Sequence, residues 1–484
     1  EIPLRLVGSE MCIRDSLINI LFIKEMGYVI ITSRRYRNLK LKGSIMKVAF
    51  HTLGCKVNQY ETEAMKEQFK SFGAEIADEN DFADVYIINT CTVTNIADRK
   101  SRQYIRRMKK KNPKAVVAVT GCYAQVKPEE IIALPEVDIV AGTGEKNNII
   151  DYVRQFMEEN TPQCHIKKYE ELCEYQDKGI ITSMESRTRA YIKVQEGCNR
   201  FCAYCLIPFA RGMVRSRDPR EIVKEAKVLI DKGFKELILT GINTALYGTE
   251  DGFKDKFPLW VSEEKNGMES LISAINGLPG EFRIRLSSLE PAVVNADYVK
   301  RLLKYERLCH HLHLSAQSGS DNVLSMMNRP YNRKDYLDIV EVLRKSDELY
   351  GISTDIIVGF PGETEQDFSD SKKLIEEAGF CKVHPFKYSK RDGTAAALME
   401  NQIPPEIKNR RMDEISSVSE KAVSNFLTKC IGDRRIVLFE EQEGPYVTGY
   451  TDNYIKVYVK GNELNCFKEV KLLEIYKDGM KGEI

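Results

Sequence analysis

Apolar residues along this chain gather in short β-branched runs separated by stretches of helical spacing, and the pattern changes character three times. From Met46 the runs MKVAFHTLG, DVYIINT and KAVVAVTG are continuous rather than alternating, and each is followed by polar or helical sequence. Continuous runs of that length are strands buried on both faces, so 46–160 is predicted to be a parallel sheet covered by helices. Over 184–414 the strand-like segments KELILTGIN, FRIRLSS, HHLHLSAQSG and STDIIVGFPG alternate with helices such as PREIVKEAKVLIDKG and NRKDYLDIVEVLRKSDELYG. A repeated βα pattern predicts a full or partial (β/α) barrel with reactive groups at the carboxyl ends of its strands. A helix over 405–427 leads into a tail, 417–484, of short strands and Gly-containing turns, the pattern of a small β-barrel. The segment 161–183, with Pro162, Cys164, Cys173 and Gly179, reads as a linker or connecting strand.

The first 45 residues break this order. EIPLRLVGSEMCIRDS has neither helical nor strand periodicity, and the apolar patch over 17–31 is interrupted by Lys24 and Glu25. That patch is too short and too charged for a membrane span, so 1–45 is expected to be an extraneous or poorly ordered extension.

Composition narrows the class without deciding it. A chain of 484 residues is long enough for about two to four domains with real cores. Lys and Arg number 72 against 71 Asp and Glu, a net charge of +1, so any nucleic-acid surface must be local. Thirteen cysteines with no signal peptide fit metal binding in a reducing cytoplasm better than a disulfide framework.

The cysteines carry the chemistry. Cys198, Cys202 and Cys205 stand in EGCNRFCAYC, directly after the strand-like AYIKVQEG. Three thiolates so close can hold three irons of a 4Fe-4S cluster and leave the fourth open. A zinc knuckle is the competing reading, but it needs a fourth Cys or His at comparable spacing, and none follows nearby. Cys55, Cys91 and Cys122 each end one of the three N-terminal apolar runs. Carboxyl ends of parallel strands lie along one edge, so these distant thiols are predicted to converge on a second cluster; the alternative is three buried small hydrophobes. Cys12, Cys164, Cys173, Cys309, Cys381, Cys430 and Cys466 are assigned no role.

Other groups have placements suited to ligands. Arg99, Lys100, Arg102, Arg106 and Arg107 open a run with no acidic residue between Cys91 and Cys122, a candidate phosphate-binding helix. Gly241, Asn243, Ser288, Glu290, Gln317 and Gly359 occupy predicted strand ends, and Tyr204 precedes the last cysteine of the triad. They are candidates for a nucleoside and amino-acid ligand. His310, His311 and His313 are read as barrel-flanking residues rather than metal ligands, and Tyr446, Tyr450, Tyr454 and Tyr458 as strand aromatics with a possible base-stacking role.

The motifs HTLGCKVNQYETE, INTCTVT, TGCYAQ, GCNRFCAYCLIPFARG, HLHLSAQSGSDNVL and IIVGFPGETEQDF occur in that order, and on them the chain from Met46 resembles the radical S-adenosylmethionine (SAM) methylthiotransferases. The resemblance implies three parts: an N-terminal domain bearing three cysteines, a radical SAM barrel and a C-terminal TRAM domain. It implies two 4Fe-4S clusters and SAM as cofactors, a reductant such as flavodoxin or ferredoxin, and a tRNA anticodon stem-loop as partner. CKVNQYETE is closest to the MtaB type, which places a methylthio group on carbon 2 of threonylcarbamoyladenosine. Alternatives are isopentenyladenosine in tRNA or a ribosomal protein as substrate, and, in another class, a non-catalytic iron–sulfur RNA-binding protein.

Overall fold

The computed structural model describes residues 40–41, 44–176, 179, 181, 188–262 and 265–484. The expectation of an extraneous extension therefore falls almost wholly outside the described residues, as does most of 177–187 at the end of the expected linker.

Six parallel strands form the N-terminal sheet: β1 (Lys47–Thr52), β2 (Glu75–Ala77), β3 (Val85–Thr90), β4 (Val116–Gly121), β5 (Ile139–Ala141) and β6 (Gln163–His165). Their order is β2-β1-β3-β4-β5-β6. Every position of β3 and β4 is buried, which is why their sequences are continuously apolar. Helix α1 (Lys56–Ser71) returns β1 to β2, and α2 (Asn95–Lys111) carries β3 to β4. The direction of winding reverses between β1 and β3, and such a switch point opens a crevice at the carboxyl ends. The segment expected to be a linker instead supplies β6, whose register with β5 completes the sheet edge.

The central unit is a partial barrel of six parallel strands: β7 (Arg189–Lys193), β8 (Glu236–Thr240), β9 (Arg283–Leu286), β10 (His311–His313), β11 (Gly351–Val358) and β12 (Lys382–Lys387). Two three-stranded sheets, β7-β8-β9 and β10-β11-β12, meet through single bridges at Ile284–Leu308 and Leu289–Leu314. Strand β10 is shorter than HHLHLSAQSG suggests. Ser318 turns back onto Ala316 O at 2.8 Å, and Gln317 takes a left-handed φ of 64°.

Five strands, β13 (Arg434–Glu443), β14 (Tyr446–Thr451), β15 (Lys456–Lys460), β16 (Cys466–Tyr476) and β17 (Gly479–Glu483), close a barrel in the order β13-β14-β15-β17-β16. The helix Pro405–Lys429 links the two barrels and is shared by their cores. Ile415 and Ala422 pack into the central core, Phe426 and Leu427 into the C-terminal one.

This small barrel docks on the amino ends of the central strands, opposite the triad. Glu236, fully buried at the start of β8, accepts from Arg283 Nε at 2.6 Å and Arg285 Nε at 3.0 Å. The same arginines donate onward to the carbonyls of Tyr450, Thr451 and Asp452. Burial opposes the Glu236 charge, but the surrounding guanidinium groups outweigh it and hold its pKa well below the usual carboxylate range. Tyr454 stacks on His311 at 4.5 Å, and Arg189 lies 4.5 Å from the Tyr450 ring centre. Two of the four candidate base-stacking tyrosines are thus used in docking. Replacing Glu236 by Leu leaves buried guanidinium groups uncompensated, and an unfolding free energy lower by about 3–5 kcal/mol is expected in urea denaturation.

Candidate active site between two cysteine triads

Cys55 caps the start of α1 just after β1, Cys91 follows β3, and Cys122 opens the short helix α3 (Cys122–Val126) after β4. All three lie beside the switch point. Close approach is enforced by glycine: a Cβ on Gly54 would lie 2.7 Å from Cys91 Cβ, and one on Gly121 would lie 2.3 Å from Thr90 O. Asn58 laces the loops, its Nδ2 donating to Leu53 O at 2.7 Å and Thr90 O at 3.0 Å. Burial pushes the Cys91 thiol up to about 12, and the Cys122 and Cys55 thiols add to the shift. Cys122 is also raised by burial, against the pull of Arg211. A metal bound there would deprotonate these thiols.

The second triad lies on the loop after β7. Gly212 O accepts from Cys198 N at 3.1 Å, Met327 O from Ala203 N at 3.0 Å, and Cys202 O from Cys205 N at 2.9 Å. Burial drives Cys205 up to about 12 and Cys198 up to about 11, with Cys202 contributing to both. No three Cys, His, Asp or Glu side chains among the described residues close to single-ion distance. Three thiols in each triad would hold three irons of a 4Fe-4S cluster and leave the fourth open.

Around the second triad the carboxyl edge of the barrel is polar. Glu290 accepts from Arg200 Nε at 2.7 Å and from Asn243 Nδ2 at 2.9 Å, with Arg329 Nη1 at 3.5 Å. Arg329 Nη2 also donates to the Tyr204 hydroxyl at 2.6 Å. Asn243 Oδ1, Glu290 Oε1 and Ser287 Oγ are buried without a hydrogen-bond partner, acceptors suited to the amine and hydroxyls of a SAM-like ligand. Gly241 packs against Gln195, and Ser288 is exposed with its carbonyl taken by Thr244. Gly359 directly follows β11; its N–H is bound by Glu363 Oε2 at 2.7 Å and Lys408 packs against it. Arg200 and Arg329 were not legible as site residues, because only the fold brings them to Glu290.

A cavity of about 280 Å³ is lined by Val93 and Thr94, which follow Cys91, and by Tyr204, which precedes Cys205, together with Gln317, Asp355 and Phe386. Val93 and Phe386, both exposed, give it an apolar rim. Arg391 pins the Cys91 side to the barrel, donating to Thr92 Oγ1 at 2.5 Å and Asp98 Oδ2 at 2.7 Å. Helix α2 starts at this rim with Arg99, Lys100, Arg106 and Arg107 exposed. Its basic residues are not all available: Arg102 pairs with Glu130 at 2.7 Å, Lys109 with Asp138 at 2.8 Å, and Arg107 donates to Asn80 at 2.8 Å. His313 pairs with Asp355 at 3.0 Å and His311 with Ser353 at 2.9 Å, a structural use of both.

Residues 47–142 match the uncharacterized protein family UPF0004, and 192–375 match the radical SAM superfamily. The threonylcarbamoyladenosine tRNA methylthiotransferase MtaB of Bacillus subtilis is 43% identical over 89% of this chain and 94% of its own length. The chain belongs to the radical SAM methylthiotransferase family. A second relative, MtaB of Aquifex aeolicus, is 37% identical across 100% of its length. The tRNA-2-methylthio-N(6)-dimethylallyladenosine synthase of Clostridium tetani is 34% identical over 89% of this chain and 95% of its own. Among solved structures, the radical SAM methyltransferase TsrM of Kitasatospora setae superposes with a TM-score of 0.53 over 83% of this chain and 82% of its own. At 12% identity that likeness concerns the fold alone.

Proposed function

We propose that this methylthiotransferase places a methylthio group on carbon 2 of threonylcarbamoyladenosine beside the tRNA anticodon. The observation that carries the reading is 43% identity to the Bacillus subtilis MtaB over 94% of that protein's length. The hydrogen on that carbon is not acidic, so general-base chemistry has little leverage. Bound at Cys198, Cys202 and Cys205, a 4Fe-4S cluster with SAM supplies a carbon radical able to take such a hydrogen, and a second cluster on Cys55, Cys91 and Cys122 supplies the sulfur. Glu290, held by Arg200 and Asn243, offers its remaining oxygen to the SAM amine. Tyr204, positioned by Arg329, forms a wall against the base, and Val93 and Phe386 at the rim exclude water. The exposed basic face of α2 receives phosphates of the anticodon stem-loop. A one-electron reductant such as flavodoxin or ferredoxin is required. We place the enzyme in the cytoplasm with its tRNA, and no helix among the described residues is long and apolar enough to cross a membrane.

The test is mass spectrometry of nucleosides from tRNA of cells lacking this activity, after anaerobic incubation with reconstituted protein, SAM and reductant. A methylthio gain on threonylcarbamoyladenosine is expected. Gain on isopentenyladenosine instead would move the chain to the other tRNA subgroup. SAM cleavage with no altered nucleoside would point to a protein substrate.

A further inference from the structure

One short helix touches both sets of cysteines. In the five residues Ile207–Arg211, the first N–H donates to Cys205 Sγ at 3.4 Å and the last side chain donates from Nε to Cys122 Sγ at 3.2 Å. Its end is anchored in the N-terminal domain by Thr143 Oγ1, which donates to Ala210 O at 2.7 Å. Gly212 then turns away with φ +73°, where any Cβ would strike Leu172 at 2.5 Å. A helix of this length has no slack, so it fixes the separation of the two triads.

Arg211 is fully buried, and four of its five N–H groups are committed. Nη1 donates to Glu61 Oε1 at 2.6 Å and Glu196 Oε1 at 2.7 Å, Nη2 donates to Asn58 Oδ1, and Nε is left for the thiol. Lys146, Lys193 and Arg215 share the same two carboxylates, so four cations surround Glu61 and Glu196. A cluster held by three thiolates supplies negative charge that this buried box lacks.

We propose that Arg211 is a positioning residue for the N-terminal cluster: it holds Cys122 at a fixed distance from the SAM triad and raises the cluster's reduction potential. The inference rests on the reading of Cys55, Cys91 and Cys122 as cluster ligands. Reduction adds negative charge, which a permanent guanidinium and an N–H···S bond stabilise. Lysine keeps the charge but cannot reproduce the planar fork.

The test uses the full-length chain with Cys198, Cys202 and Cys205 replaced by Ala, so that only the N-terminal set is loaded with iron and sulfide. Midpoint potential is read by electron paramagnetic resonance during anaerobic redox titration. Arg211→Gln is expected to shift the midpoint to a more negative potential, and Arg211→Lys to shift it less in the same direction. An Arg211→Lys protein with parental iron content and an unchanged midpoint overturns the inference while leaving the ligand assignment intact. A parent chain that binds no iron overturns both. In the otherwise native enzyme, Arg211→Lys should lower methylthio insertion at least about 10-fold, the scale of losing an outer partner of a metal ligand, while SAM cleavage continues. Equal loss of both activities would also count against it.

Discussion

Replacing Cys202 by Ala is expected to abolish SAM cleavage and methylthio insertion together. Cys202 is the middle member of a triad whose thiols are mutually raised and whose loop is tied to Gly212 and Met327. Removing a ligand should cost more than the roughly 100-fold that loss of an outer partner can cost, so both activities should fall below about 1% of the parent. The measurement is 5′-deoxyadenosine and modified nucleoside from the same anaerobic reaction. Unchanged function of the Cys202→Ala protein in cells would remove both catalytic readings and favour a non-catalytic iron–sulfur RNA-binding protein. Oxygen exposure of the purified enzyme should mimic the substitution.

Cys55→Ala should separate the two activities. Cys55 caps the start of α1 in the N-terminal domain, and its loss leaves Cys198, Cys202 and Cys205 in place. Methylthio insertion is expected to fall to background with about half the iron lost, while 5′-deoxyadenosine formation stays within about 10-fold of the parent. Joint loss of both activities, in a protein that still denatures cooperatively, would contradict a division of labour between the triads.

The barrel, the N-terminal sheet and the small C-terminal barrel were all legible as hydrophobic periodicity, because burial on one or both faces leaves a repeating mark on adjacent residues. What periodicity missed has physical causes. The strand Gln163–His165 is three residues long with one buried position, too short to rise above a linker-like segment. HHLHLSAQSG looked like one long strand, but regular pairing ends at His313 and only isolated bridges at Leu314 and Gln317 follow. Gly359 directly follows a strand, as its sequence suggests, but the Lys408 packed against it comes from a helix nearly fifty residues later.

Two levels of information meet at the site. Three cysteines within eight residues were sufficient to predict a cluster, since the short tether keeps their thiols together whatever the rest of the chain does. Cys55, Cys91 and Cys122 were also predictable as a group, because parallel strands deliver their carboxyl ends to one edge. Only the tertiary structure decided which charges stand between the two triads. Arg211 reaches Glu61 across 150 positions, and Arg391 reaches Asp98 across 293. Ion pairs of that kind leave no period in a sequence: they depend on where separate domains meet, and the burial that makes them strong exists only after docking.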